Sequence, residues 1–172
     1  MLPGVEEYES QGAEFDEPAR VYRYSLHRMW GGGSLSEWKT TLWIMLNPST
    51  ADENELDPTL RRCEAFSRAW GFDGFEVVNL FAIRSTDPKM LYLVSEPVGQ
   101  ENDRFILQAA YRADKIIVGW GTEKIARERG KQVMHLLASG LHFHTWCLGT
   151  NDDGSPKHPL YIAKHTKLRR YT

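Results

Sequence analysis

Hydrophobic and polar positions along this chain fall into two kinds of segment. Thr40-Thr41-Leu42-Trp43-Ile44-Met45-Leu46 is an almost continuous apolar run, stopped by Asn47-Pro48. A run that is apolar on both faces suits a central parallel strand covered by helices on either side. Phe75–Phe81, Lys115–Trp120 and Leu141–Trp146 read the same way. Between these runs the apolar residues recur at helical spacing. Leu60, Cys63, Phe66 and Ala69 mark a helix over Thr59–Ala69. Phe105, Ile106, Ala109 and Ala110 mark another over Asn102–Arg112, with Asn102 or Asp103 as its cap. Ile125, Val133, Leu136 and Leu137 mark a third over Lys124–Ala138, with Gly140 beyond its end. Strands alternating with helices predict an α/β fold: a three-layer α/β/α sandwich on a central, mainly parallel sheet of about four strands.

Outside this alternation the pattern weakens. Residues 1–20 are acidic, carry Gly4, Gly12 and two prolines, and show no periodicity, so they read as an N-terminal arm. A β-prone stretch follows from Val21 to Trp30, and Gly31-Gly32-Gly33 breaks it. Residues 21–172 are expected to form a single α/β domain.

Composition narrows the partners. The chain has 172 residues, 41% of them hydrophobic, which excludes a disordered chain. With 21 basic against 23 acidic side chains the net charge is −2, too small to coat nucleic acid through bulk charge but compatible with a local basic patch. Two cysteines, Cys63 and Cys147, cannot hold a four-thiolate zinc or iron–sulfur site, and read as reduced, buried thiols. No apolar run reaches the length of a membrane span and the N-terminus is acidic, unlike a signal peptide. A cytoplasmic protein without membrane, metal or cofactor is expected; its oligomeric state is open and a monomer is compatible.

Sites in open α/β sheets lie beyond the carboxyl ends of the strands, so the residues there carry the chemistry. Asn47 precedes a proline, which holds it extended at its strand end, and Ser49 and Thr50 add hydroxyls and backbone N–H groups. The same residues also suit an ordinary turn and helix cap. Asn79 ends an apolar strand, where its amide must find backbone partners or the edge of a ligand such as a nucleobase. Trp120-Gly121 ends the next strand. His158, beside Pro159, follows the flexible stretch Gly149–Lys157 and is either solvated or aimed at the other strand ends. His142 and His144 share a strand face but lack a supporting carboxylate, so no metal is assigned to them. The acidic run Asp52, Glu53, Glu55, Asp57 reads as a solvated lead into a helix that starts at Asp57-Pro58-Thr59. Arg61 and Arg62 on that helix, with Lys157, Lys167, Arg169 and Arg170 near the C-terminus, are the candidate contacts to a nucleic-acid backbone; a solvated face and a frayed tail are the plainer readings.

In this order, the segments Met45-Leu46-Asn47-Pro48-Ser49, Val77-Val78-Asn79-Leu80, Val118-Gly119-Trp120-Gly121 and His158-Pro159-Leu160-Tyr161 resemble the motifs of the uracil-DNA glycosylase superfamily. A closer resemblance, in the N-P-S-T-A-D, D-P-T-x-R-R, N-L-F-A, N-D, W-G and H-P-L-Y segments, is to a family of short bacterial and phage proteins known as a domain of unknown function; it implies no activity. The superfamily resemblance implies a uracil-DNA glycosylase-like fold and base excision, in which a nucleotide is flipped from DNA and read in a pocket. Carried over, Asn47 would position the attacking water, Asn79 would bond the base, and His158 would stabilise the anionic leaving base. Pro48, Ser49, Thr50, Trp120 and Gly121 would line the base pocket. Asn47 stands where the most active members carry aspartate, and an amide cannot take the water's proton. Ser49 stands where some members carry a bulky tyrosine, which implies room for a pyrimidine enlarged at C5. Leu160 replaces a serine that usually contacts phosphate, and is suited to wedging into the base stack or to packing in the loop. The chain is thus expected to be a metal-independent glycosylase acting on a modified pyrimidine in DNA. The alternatives are a non-catalytic nucleic-acid or nucleotide-binding protein, or a hydrolase of free nucleotides or nucleosides.

Overall fold

The computed structural model describes residues 8–32, 34–49, 54–141 and 143–172. The expected residues Thr50, Asp52, Glu53 and His142, with Gly33 and the first seven positions, lie outside them.

The apolar run at 40–45 forms a strand because both its faces are covered. Leu42, Ile44 and Leu46 enter one core cluster, Trp43 and Met45 the other. The same alternation separates Val78 from Phe75 and Val77, and Ile116 and Val118 from Ile117. Among the described residues there are seven strands: β1 (Ser10–Phe15), β2 (Arg23–Met29), β3 (Thr40–Met45), β4 (Gly74–Asn79), β5 (Lys115–Val118), β6 (Thr145–Cys147) and β7 (Arg169–Tyr171). They make one sheet in the order β1-β2-β4-β3-β5-β6-β7. The four central strands, β4, β3, β5 and β6, are parallel, as expected of the both-faces-apolar runs. The sheet as a whole is larger than expected and not mainly parallel. β1 and β2 add antiparallel pairings at one edge and β7 adds one at the other.

β2 falls inside the β-prone stretch, whereas the edge strands β1 and β7 escape the hydrophobic pattern because edges need no continuous apolar face. β1 falls inside the stretch expected to be an arm, and β7 inside the basic segment for which a frayed tail was the plain alternative. Where β1 pairs with β2, the register jumps: Glu14 faces Ser25 but Phe15 faces Arg23, so Tyr24 is an extra, bulged residue. Tyr24 therefore stacks on Phe105, at 4.9 Å between ring centroids, and Arg23 is turned to the opposite face of the sheet.

Among the described residues three α-helices cover the sheet. α1 (Pro58–Ala69) packs Leu60, Cys63 and Phe66 on the Trp43 side. α2 (Asn102–Arg112) and α3 (Ala126–Leu141) pack Ile106, Ala109, Val133 and Leu137 on the Leu42 side. Asp57 caps α1 by accepting the Leu60 N–H at 2.8 Å, ahead of Pro58 at the first helical position. α2 starts differently from the expectation. Its cap position is Glu101, without a side-chain cap bond, because Asn102 is turned inward and donates to the carbonyls of Asn79 (2.9 Å) and Leu80 (3.1 Å). α3 also runs through Gly140 to Leu141, so the last parallel strand begins only at Thr145. Cys63 and Cys147 are free and buried, and burial raises the pKa of both thiols. Among the described residues no helix is long and apolar enough to cross a membrane.

Candidate functional site at the strand ends

The connection from β3 leads to α1 on one face, whereas those from β4 and β5 lead to α2 and α3 on the other. Chains that part in this way open a crevice at the strand ends. The crevice here is a cavity of about 760 Å³, within the range of ligand sites, and it begins where Met45 meets Leu46 and Asn47. Asn47, Ser49, Asn79, Trp120, Gly121, Lys157 and His158 all line it, with Leu160 at its side. Four segments far apart in sequence thus meet at one place.

Asn47 is held by both hydrogens of its amide, which go to the carbonyls of Pro48 (3.1 Å) and Ser85 (2.9 Å). Its Oδ1 is left as the atom that can accept from a ligand or water. Pro48 is buried and does not line the cavity; its carbonyl takes the Asn47 amide and the Ser85 N–H. Ser49 donates its hydroxyl to Asp57 Oδ2, so the α1 cap also braces the cavity wall.

Asn79 is 1% exposed, and among the described residues its Nδ2 has no hydrogen-bond partner. A buried orphan donor is costly, by about 1–3 kcal/mol, and a ligand acceptor in the cavity would relieve that cost. Its backbone is fixed by Asn102, and the next carbonyl, that of Leu80, also accepts from Arg129 Nε at 3.0 Å.

His158 is presented by a loop seated on glycines. A Cβ on Gly119 would lie 3.2 Å from Pro159 Cδ and 3.3 Å from Met45 Sδ, so the His-Pro segment rests directly on the end of β5. Gly121, at φ +80°, turns the chain so that its N–H reaches the Pro156 carbonyl at 3.0 Å. The Leu160 N–H donates to His158 Nδ1 at 3.3 Å, which leaves Nε2 to carry the proton of the neutral ring. Burial holds the pKa of His158 below its ordinary 6.5, against the opposing pull of Asp57. The ring is therefore a neutral Nε2–H donor at pH 7. As pH falls, the unfolded chain takes up this proton first, near 6.5, so the contribution of His158 to stability is present above that pH and is lost as pH drops toward the lower folded value. An NMR titration of the ring is expected to show the Nε2–H tautomer at pH 6.5, with protonation only below it; a midpoint above 6.5 would contradict the assignment.

The basic candidates divide. Lys157 lines the cavity. Arg62 instead donates to the carbonyls of Pro159 (3.3 Å) and Ile162 and lies over the Phe66 ring, tying α1 to the turn that carries His158. Arg61, Lys167 and Arg169 are exposed and lie away from the cavity, and Arg170 bonds His144 Nδ1 at 2.7 Å beside the Trp146 ring. Trp120 is mainly a core residue, edge-on to Tyr171 and packed close to Gly130 of α3. Among the described residues, no cluster of three or more His, Cys, Asp or Glu is placed to hold a metal ion.

Sequence reasoning missed one wall of the cavity. Arg23 lines it while only 2% exposed, and Asp57, Ser85, Thr86 and Glu123 border it too. Tyr161, on the rim, is 83% exposed with its ring 5.9 Å from that of His158. The clearest local signal was for Asp57, which already reads as a helix cap; nothing local marks an arginine in a β-prone stretch as buried.

A family model described as "Protein of unknown function (DUF1643)" matches residues 23–160, most of the chain and every segment that builds the cavity up to Leu160. No curated protein matches the chain, and no solved structure does.

Proposed function

The chain belongs to the DUF1643 family, proteins of unknown function, and we propose that its strand-end cavity binds a nucleobase and hydrolyses the N-glycosidic bond of a modified pyrimidine in DNA. The observation that carries this reading is the buried Asn79 amide, whose Nδ2 has no partner among the described residues, in the cavity that Asn47 and His158 also line. An amide donor suits the carbonyl edge of a base.

The division of labour follows from the groups each side chain has left. Asn79 Nδ2 donates to a base carbonyl. Asn47 Oδ1 accepts from the water that attacks the anomeric carbon. The C–N bond breaks with its electron pair going to the base, and His158 Nε2–H donates to the base oxygen on which that charge gathers. The proton lost by water passes to solvent or to the departing base, since an amide cannot take it. Tyr161 offers an exposed face on which a neighbouring base can stack. The small Ser49 and the cavity volume leave room for a substituent at C5 of the ring.

The test is incubation of the protein with labelled DNA carrying a panel of modified bases, scoring abasic sites. Release of at least one C5-enlarged pyrimidine in preference to unsubstituted uracil is expected, with release lost in Asn47→Ala. Preference for plain uracil would remove the C5 refinement. If no base is released and Asn47→Ala leaves DNA binding unchanged, the glycosylase reading fails. The amide at Asn47, unable to act as a base, favours one second reading: a nucleic-acid or nucleotide-binding protein that keeps the pocket without the chemistry. Salt-dependent DNA binding without base release would mark it.

A further inference from the structure

The chemistry of base release leaves open by which group one proton departs. The water that attacks the anomeric carbon must lose it, and Asn47 Oδ1 can orient that water but cannot keep the proton. His158 is not free to take it, since its Nδ1 accepts the Leu160 N–H and its Nε2 carries the ring proton. Among the described residues that line the cavity, two carry carboxylates, Asp57 and Glu123. Both oxygens of Asp57 are taken, by the Leu60 N–H and the Ser49 hydroxyl. Glu123 is half-buried, and among the described residues its side chain has neither a hydrogen bond nor an ion pair. Arg127, the basic residue one helical turn further on, reaches instead to Asp153 at 3.4 Å. The loop that presents Glu123 is pinned on either side of it. The Gly121 N–H bonds the Pro156 carbonyl at 3.0 Å, the Ile125 N–H bonds the Tyr92 hydroxyl at 3.2 Å, and the Glu123 carbonyl takes the Ala126 N–H at 3.0 Å. β5 lies beside β3, with Ile44 next to Val118, so the chains that carry Asn47 and Glu123 leave neighbouring strand ends. A Cβ on Gly121 would lie 3.7 Å from that of His158, so the same loop flanks the imidazole.

We propose that Glu123 is the general base of this cavity, the group through which the proton of the attacking water leaves. The proposal rests on the glycosylase reading of the same site and adds to it the route by which that proton reaches solvent. A lone pair of the water oxygen forms the bond to the anomeric carbon, and one O–H bond breaks with its electron pair staying on that oxygen. The proton joins a carboxylate oxygen of Glu123. The C–N bond pair departs with the base, which takes a hydrogen bond from His158 Nε2–H. Glu123 then releases the proton to the water outside the cavity, which its half-buried position permits. A carboxylate on this wall also offsets the positive charge that the sugar gains as the C–N bond breaks.

Single-turnover base release from labelled DNA carrying the panel of modified bases, uracil and 5-hydroxymethyluracil among them, tests this when DNA binding and Tm are measured alongside. Glu123→Gln, which keeps the shape and loses the base, is expected to slow release about 10²-fold, the lower end of what a positioned base contributes. Its DNA affinity is expected to stay within about threefold, because the proton moves only on the way to the transition state. Glu123→Asp, a carboxylate drawn back by one methylene, is expected to keep part of the rate. Glu123→Ala is expected to be slow and to regain rate when formate is added, since a small carboxylate then fills the vacated place. All three variants are expected to keep the Tm of the unmodified protein, because the side chain makes no bond that holds the fold. Rescue is read on one and the same variant with and without formate, so it does not depend on comparing folds. Formate does nothing for a side chain that only shapes the loop, and slowing without rescue overturns the proposal. Release by Glu123→Gln within about threefold of the unmodified rate also overturns it, and leaves the glycosylase reading standing. No release of any base by the unmodified protein overturns both.

Discussion

On the proposed glycosylase reading, His158→Ala is expected to slow base release by about 10²–10³-fold, the cost of removing one aimed donor from a developing anion. The expectation rests on how little freedom the ring has. Its Nδ1 accepts the Leu160 N–H, burial keeps it neutral, and the loop beneath it is seated on Gly119. The Nε2–H is thus held in place before the reaction, and alanine removes it without filling the space. DNA affinity is expected to change less than about threefold, because a donor that bonds chiefly the leaving anion adds little to ground-state binding. Single-turnover scoring of abasic sites measures the rate, and a fall smaller than about threefold would deny His158 this role. Since His158 also caps the short turn Pro159–Tyr161, His158→Asn is the control. Asparagine can still accept the Leu160 N–H, so a stable but slow variant separates the lost donor from a lost cap.

Trp43→Ala is expected to cost about 3–5 kcal/mol of unfolding free energy, read from the urea midpoint, and to lower Tm by roughly 10 °C. Trp43 is fully buried in β3, with Trp70 stacked at 5.8 Å and Phe66 tilted at 6.1 Å between ring centroids. Its Nε1 donates to Ser67 Oγ at 3.1 Å; that hydroxyl also meets Thr41 Oγ1 at 2.7 Å and donates to the Cys63 carbonyl at 2.8 Å. Alanine therefore leaves a cavity between sheet and helix and takes away one of the two groups that donate to Ser67. Trp43→Phe keeps most of the packing and should cost clearly less. A loss below about 1 kcal/mol for the alanine variant would mean that the layer between β3 and α1 is not close-packed as described.

How much of this was visible in the chain depends on whether a residue acts locally. The four central strands and three helices show in their apolar spacing because each buries a face that the pattern must spell out. β1 and β7 do not, since Gln11, Glu14 and Arg170 sit in edge strands held by backbone hydrogen bonds, which any side chain permits. Asn47, Asn79 and His158 were recognisable from their positions after strands or beside prolines, and the structure brings all three to one cavity. Asn102 was misread as a cap because its amide serves carbonyls more than twenty residues away in the chain. Arg62 read as a solvated side chain or a contact for phosphate, whereas its partners are carbonyls 97 and 100 residues further along the chain. Such assignments are tertiary facts and leave no local trace.

The bulge at Tyr24 gives the cavity an unusual kind of vulnerability. Side chains alternate along a strand, so the face each one occupies depends on counting residues from the paired neighbour. Take one residue out of β2 at the bulge, and every group named in the cavity remains in the protein, but the guanidinium of Arg23 is carried to the other side of the sheet. The place of this one charge on the cavity wall is thus written in the length of a strand.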